Sequence, residues 1–399
     1  MLSSLRSKGL LSLPGFIALV YSLFLAGFFI AQNAVDLYKF YSIAVFLPGL
    51  FAVKAVIGRP GDNALWYSIL AYLGYMLLTS FWSMDFSGKE LFNDARLAAY
   101  IVMFLLIAVL IYARDQNLFE NTIRLTCICA GAAALISIAL WYMGVLRPSH
   151  RLAGIGIIEN PNPSSFVYGF FAVLNGYYAF RSRQPWVRAA FSTLCIALLA
   201  YVLLTKSNTG ILATAISISL LLALYKHNHR LLVTVSILGA IAAILYLLWS
   251  LGLLSDPVDR GFSERMPIWQ FVLNQWLDAP VFGNGYQPEF LLTPSGGKDV
   301  ANWAHNALLA TLRDGGVTGL MLHLLVLAAA TRAASRLARE HGDPIYLILL
   351  AFGFICMTAD TDQLITRPME LWIIFWLPLA MILARGPTSA QDLFFRKAA

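Results

Sequence analysis

The chain has 399 residues, of which 59% are hydrophobic and only 12% charged, with a formal net charge of +7. Soluble domains carry roughly 25% charged residues, so a soluble or disordered chain is excluded and a membrane-embedded helical one is indicated. The four cysteines, Cys127, Cys129, Cys195 and Cys356, all fall inside apolar runs, which excludes a disulfide scaffold and assigns them to buried packing.

The first apolar run has no small-residue cleavage site behind it, so it is expected to stay as a helix rather than leave as a signal peptide. Runs long enough to cross a bilayer then recur, and the predicted spans are 12–30, 39–57, 64–82, 96–113, 122–143, 163–180, 188–205, 209–225, 231–252, 316–331, 344–360 and 369–384. The expected fold is thus an all-α polytopic membrane protein of about twelve transmembrane helices, one integral membrane domain over 1–399. With the amino terminus inside, 17 of the 28 lysines and arginines fall on the inner side. The positive-inside rule therefore puts both termini in the cytoplasm.

Outer-side bases run against that bias and call for a local reason. Arg147, Arg151, Lys206, Arg260, Arg265, Arg313 and Arg367 all lie on the outer side, and so many on one face suggest an anionic ligand. In "RPSHRLAG" the sequence predicts a helical turn with Pro148 near its start and Gly154 at its end. Arg147 and Arg151 would then share a face and could grip a diphosphate in a bidentate manner; lipid headgroups are the plainer alternative. His150 lies between them. In "ENPNPSS", with Asn160 and Asn162, the spacing makes Asn162 the cap of the sixth span, Pro163 its first residue, and the helix end a second anion-favouring element. "TKSNTG" offers Lys206 and Ser207, with capping of the next helix the simpler reading of Ser207.

Residues 253–304 form the long outer connection between the ninth and tenth spans. Within it "ERMPIWQFVLNQWLDAP" puts Ile268, Trp269, Val272, Leu273 and Trp276 on one stripe, predicting a short amphipathic helix in the membrane interface. A Gly-rich turn, "VFGNGYQPEF", follows, and a second helix begins in "ANWAHNALLATLRDGGVTGL", interrupted at "DGG". His305, between Trp303 and Asn306, is the best candidate for acid–base chemistry because its side chain titrates near neutrality. Asp360 and Asp362 could hold a divalent metal with a diphosphate, but pairing with Arg367 is the favoured role. The sequence has no Walker loop, HExxH or Cys/His metal spacing, so outward-facing synthesis would draw on an already activated substrate.

The series "RLAGIGIIENPNPSS", "LLTKSNTGILA", "ERMPIWQFVLNQWLDAPVFGNGY" and "AHNALLATLRDGGVTGL" resembles the O-antigen ligase/polymerase superfamily of bacterial polysaccharide enzymes. The motifs cover residues 145–325, and the topology covers the whole chain. Asn208 stands where many members carry arginine after the serine, with Lys206 a possible substitute. One dominant late outer loop is most similar to the ligase branch. That resemblance implies an inverting, metal-independent GT-C-type glycosyltransferase of the bacterial inner membrane, working without a cofactor on the periplasmic face. It implies an undecaprenyl-diphosphate O-antigen donor and a lipid A–core acceptor; membrane lipids are expected partners and nucleic acid is not. Arg147, Arg151 and Arg265 would hold the diphosphate, and His305 would position or deprotonate the acceptor hydroxyl. An O-antigen polymerase and a protein O-glycan transferase remain alternatives with the same donor. A lipid-linked glycan flippase or transporter is disfavoured by the scarcity of charge within the spans, His323 being the main exception, and by the lack of an internal repeat.

Overall fold

A computed structural model of the chain describes residues 13–56, 61–83, 86–145, 151–225, 265–286 and 304–386. These residues are helical with short connections, and no strand occurs among them. The helices are α1 (Leu13–Ile30), α2 (Ala34–Ala52), α3 (Asn63–Thr79), α4 (Gly88–Arg114), α5 (Gln116–Tyr142), α6 (Pro161–Arg181), α7 (Pro185–Leu204), α8 (Asn208–Tyr225), α9 (Arg265–Asp278), α10 (Ala307–His341), α11 (Ile345–Asp360) and α12 (Trp372–Ala384). Each predicted span within the described residues lies in a helix, in order, and seven of these helices are long and apolar enough to cross a membrane, with three shorter apolar helices beside them; the ninth predicted span, 231–252, lies outside the described residues. The chain is an integral membrane protein. Helix is the natural outcome, since only a helix satisfies its own backbone within a lipid-facing segment.

The core is aromatic where α1, α2, α4 and α12 meet. The Trp372 ring lies 5.1 Å from Tyr41, 5.2 Å from Phe104 and 5.6 Å from Phe24. α2 contains a π-helical turn at Tyr41–Phe46, and α12 opens with another at Trp372–Trp376; such turns widen the helix locally.

One end of the bundle is tied by ion pairs. Asp62 accepts from Arg332 and Arg336 at 2.9 and 3.0 Å, and Asp343 accepts from Arg181 at 2.7 Å and Tyr177 at 2.6 Å. Tyr225 also donates to Asp343, and Arg385 pairs with Glu120. All these bases belong to the set the charge bias assigned to the inner side.

The opposite end is irregular. α10 breaks at Gly316, whose φ of 64° and ψ of −165° leave the helical region. The turn after α9 inserts there: Asn284 and Gly285 N–H groups donate to Arg313 and Asp314 carbonyls at 2.9 and 3.0 Å. In return, the Val317 and Thr318 N–H groups donate to Pro280 and Val281. A Cβ on Gly316 would sit 2.4 Å from the Val281 backbone, and one on Gly283 would sit 2.3 Å from the Asp314 carbonyl oxygen. The P-x-x-G-x-G and G-x-x-G spacings thus encode a backbone interlock. α9 packs Ile268 and Val272 against Ala304, Ala310 and Leu309 of the α10 start. Its apolar stripe is therefore shared: Ile268 and Val272 face protein, while Leu273 is exposed, so α9 does not lie wholly in the lipid interface.

Candidate active site

Asp360, the last residue of α11, gathers the charged and polar groups of the irregular end. Its Oδ1 lies 2.6 Å from His305 Nδ1 and 3.4 Å from Arg265 NH2, and its Oδ2 accepts from Asn162 Nδ2 at 2.7 Å. Asn162 in turn accepts from Arg151, whose Nε also donates to the Thr205 carbonyl at 2.7 Å. The order Arg151–Asn162–Asp360–His305, with Arg265 on the same carboxylate, joins residues from five parts of the chain. Asp360 is 9% exposed at its side chain, His305 22% and Arg265 21%. The site is therefore shielded but reachable, the condition under which charge interactions strengthen.

Local sequence places each member. Residues 151–158 run as an irregular strip over the bundle end, with Leu152, Ile155 and Ile157 N–H groups donating to the Leu204 carbonyl, Ser137 Oγ and the Phe28 carbonyl. Leu152, Ile157 and Ile158 are buried, and Gly156, at φ 90°, leaves no room for a Cβ against the Phe28 carbonyl. His305 sits at φ 51°, left-handed for a residue with a side chain, a conformation that costs about 1–2 kcal/mol. Asn306 follows as the cap of α10, accepting from the Leu308 and Leu309 N–H groups and donating to the Thr358 carbonyl at 3.0 Å. That bond ties the start of α10 to the end of α11 and brings His305 to Asp360.

A second layer lies beneath. Arg313 and Asp314, both buried, form an ion pair at 2.6 Å, and Gln363 donates to Asp314 at 3.3 Å. Burial pushes the Asp362 carboxyl up to about 6, helped by the charge of Asp314 and opposed by Arg313.

Several sequence expectations are corrected here. Asp360 pairs with His305, Arg265 and Asn162, not with Arg367, whose guanidinium instead lies 5.8 Å from the Tyr38 ring centre. Asn160, not Asn162, caps α6, with Pro161 as first helical residue; this releases the Asn162 side chain to bridge Arg151 and Asp360. Residues 151–154 are not helical, with the Leu152 N–H drawn to the Leu204 carbonyl of α7, so the described part of the proposed Arg147–Arg151 turn does not form. Arg147, His150 and Trp303 lie outside the described residues. Ser207 Oγ accepts weakly from the Gly210 N–H at 3.4 Å, the capping role, and Lys206 holds the turn at φ 50°. His323 is buried in the bundle with its Nδ1 at 3.1 Å from Thr311 Oγ1.

Sequence reasoning missed the role of Asp360 as hub.

A family model described as O-Antigen ligase matches residues 193–324. An "O-antigen ligase" of Pseudomonas aeruginosa is 25% identical over 363 residues, covering 90% of this chain and 88% of that protein. The similarity to that protein runs along nearly the whole length of both chains, and the family match runs from α7 into α10, so the chain is similar to O-antigen ligases in sequence.

Proposed function

We propose that this protein transfers O-antigen glycan from undecaprenyl diphosphate to lipid A–core on the periplasmic face of the inner membrane, with inversion at the anomeric carbon. The observation that carries the reading is the single carboxylate shared by His305 and Arg265. With the His305 Nδ1–H donated to Asp360, the neutral imidazole keeps its lone pair at Nε2, the arrangement of an oriented general base. The acceptor hydroxyl loses its proton to Nε2 as its oxygen attacks the anomeric carbon. The bond from that carbon to the diphosphate oxygen breaks in line, and the electron pair leaves with the diphosphate. Arg265 and Arg151, with Arg147 beside them in sequence, supply cationic forks for the growing negative charge, and the nearby α6 start adds its helix dipole. Both substrates are lipids, so the bilayer limits their search to a plane.

The test is transfer in vitro with undecaprenyl-diphosphate glycan and either lipid A–core or free glycan as acceptor. His305→Ala and Arg265→Ala should abolish product while the proteins still purify as folded monodisperse particles; full activity in either removes these roles. Product on lipid A–core alone marks a ligase, and product on glycan alone marks a polymerase. Transfer should persist in EDTA at temperatures below the melting transition; its loss there would return Asp360 and Asp362 to consideration as metal ligands.

A further inference from the structure

At the same end of the bundle lies a second polar pocket, where the 3-10 turn Ser80–Trp82 meets the first turns of α4. Its polar lining is Ser80, Ser83, Ser87, Glu90, Asp94 and Tyr286. Tyr286 is committed, donating to the Ile365 carbonyl at 2.9 Å. The other five are not. Ser80 Oγ is buried with no hydrogen-bond partner, and Ser87 stands at the α4 cap position without making the capping bond. Among the described residues, the Ser83 hydroxyl and both carboxylates likewise have no hydrogen bond or ion pair within the protein. Ser80 is 6% exposed, Asp94 8% and Ser83 9%, while Glu90 lies exposed at the mouth.

Such a set is costly unless something fills it. Buried polar groups are normally bonded, and an unpaired buried carboxylate is among the most expensive groups to leave alone. Here a buried carboxylate faces a second one a helical turn away, Glu90 and Asp94 being i and i+4, and among the described residues no basic side chain lines the pocket. All the uncommitted groups offer oxygen, and the carboxylates can only accept. The space leaves about 10 Å³ for the centre of a water-sized body, room for a single water or a bare ion and too little for a sugar ring. Two carboxylates and up to three hydroxyl oxygens around such a space suit a hard divalent cation.

We propose that Ser80, Ser83, Ser87, Glu90 and Asp94 form a divalent-cation site, calcium or magnesium, that serves the architecture and is separate from the Asp360 centre. The bound ion would tie the end of α3 to the start of α4. It would also firm the seat of the α9–α10 turn: Trp82 Nε1 donates to the Gly283 carbonyl at 3.1 Å, and a Cβ on Gly285 would meet Ser83 Cα at 2.4 Å.

The test uses full-length protein in detergent, stripped with EDTA and returned to calcium chloride, magnesium chloride or sodium chloride of equal ionic strength. A divalent salt should raise Tm saturably by several degrees, as expected of a ligand held only by the folded state. Glu90→Gln and Asp94→Asn should each remove that rise. Asp94→Asn, which keeps the shape and deletes the unpaired charge, should melt no lower than stripped wild type, separating a lost site from a lost fold. Terbium should report the same site through luminescence sensitised by Tyr286 and Trp82, and calcium should quench it. The absence of any divalent-specific rise, or an undiminished rise in Asp94→Asn, overturns the proposal.

Discussion

At the residue scale, the site turns on one carboxylate. Asp360 orients His305 and faces Arg265, so Asp360→Asn should lower kcat by about 10²–10⁴-fold, the range for an oriented general base, with KM little changed. Single-turnover transfer assays measure this, and activity within twofold of wild type would dismiss the His–Asp pair. Asp362, two residues on, makes a different prediction. Its carboxyl is pushed up to about 6 from 3.8, so the folded protein holds that proton more tightly than the unfolded chain does. Stability from this group is therefore lost as pH rises from about 4 to 6 and stays lost above, by up to roughly 3 kcal/mol. Asp362→Asn should accordingly raise Tm at pH 7.5 and leave it nearly unchanged at pH 4; equal effects at both values would contradict the assignment. Little of this pairing was legible in the sequence. Arg265 and Arg151 stood out because bases on the outer side oppose the topological bias, and His305 because an imidazole between Trp303 and Asn306, where the long outer segment ends, suits acid–base chemistry. Asp360, however, meets partners 55 and 198 residues away, and nearness in sequence favoured Arg367 instead.

At the element scale, hydropathy located the helices, because a lipid-facing helix must be apolar over its membrane-crossing length, but not their full extent: α10 runs Ala307–His341 where the apolar run marked only 316–331. Ends were harder: the α6 cap falls two residues earlier than the Asn-Pro spacing suggested, since both Asn160 and Asn162 can cap and tertiary bonding chooses between them. The interruption at "DGG" was visible, but its purpose was not, since the inserting turn lies over 30 residues upstream. The interlock gives a comparison of two glycines with the same φ of 64°. Gly316→Ala must displace the Val281 backbone, whereas Gly342, past the end of α10, has open space around it. Gly342→Ala should cost about 1 kcal/mol for backbone conformation alone, and Gly316→Ala clearly more, read as a larger fall in Tm and in transfer. Equal losses would mean that the interlock contributes nothing.

At the scale of the whole molecule, charge bias and geometry sort the chain in the same way. The bases assigned inward meet at the ion-paired end, while Arg151 and Arg265 meet at the other. Exposed positions at each end allow a direct test of sidedness. Gln184→Cys should react with a membrane-impermeant maleimide only after permeabilisation, and Glu159→Cys in spheroplasts without it; the reverse pattern would invert the topology. Three of the four native cysteines are buried and give little background. The two oxygens of Asp360 also carry a consequence for how the ends of the reaction communicate. Oδ2 is bonded through Asn162 to the Arg151 side, and Oδ1 to the imidazole. A donor that draws Arg151 off Asn162 therefore alters the hold on Asp360, and with it the orientation of the His305 ring. Occupancy of the first lipid substrate would thereby set readiness toward the second, a reciprocal coupling transmitted through a single side chain rather than through any movement of helices.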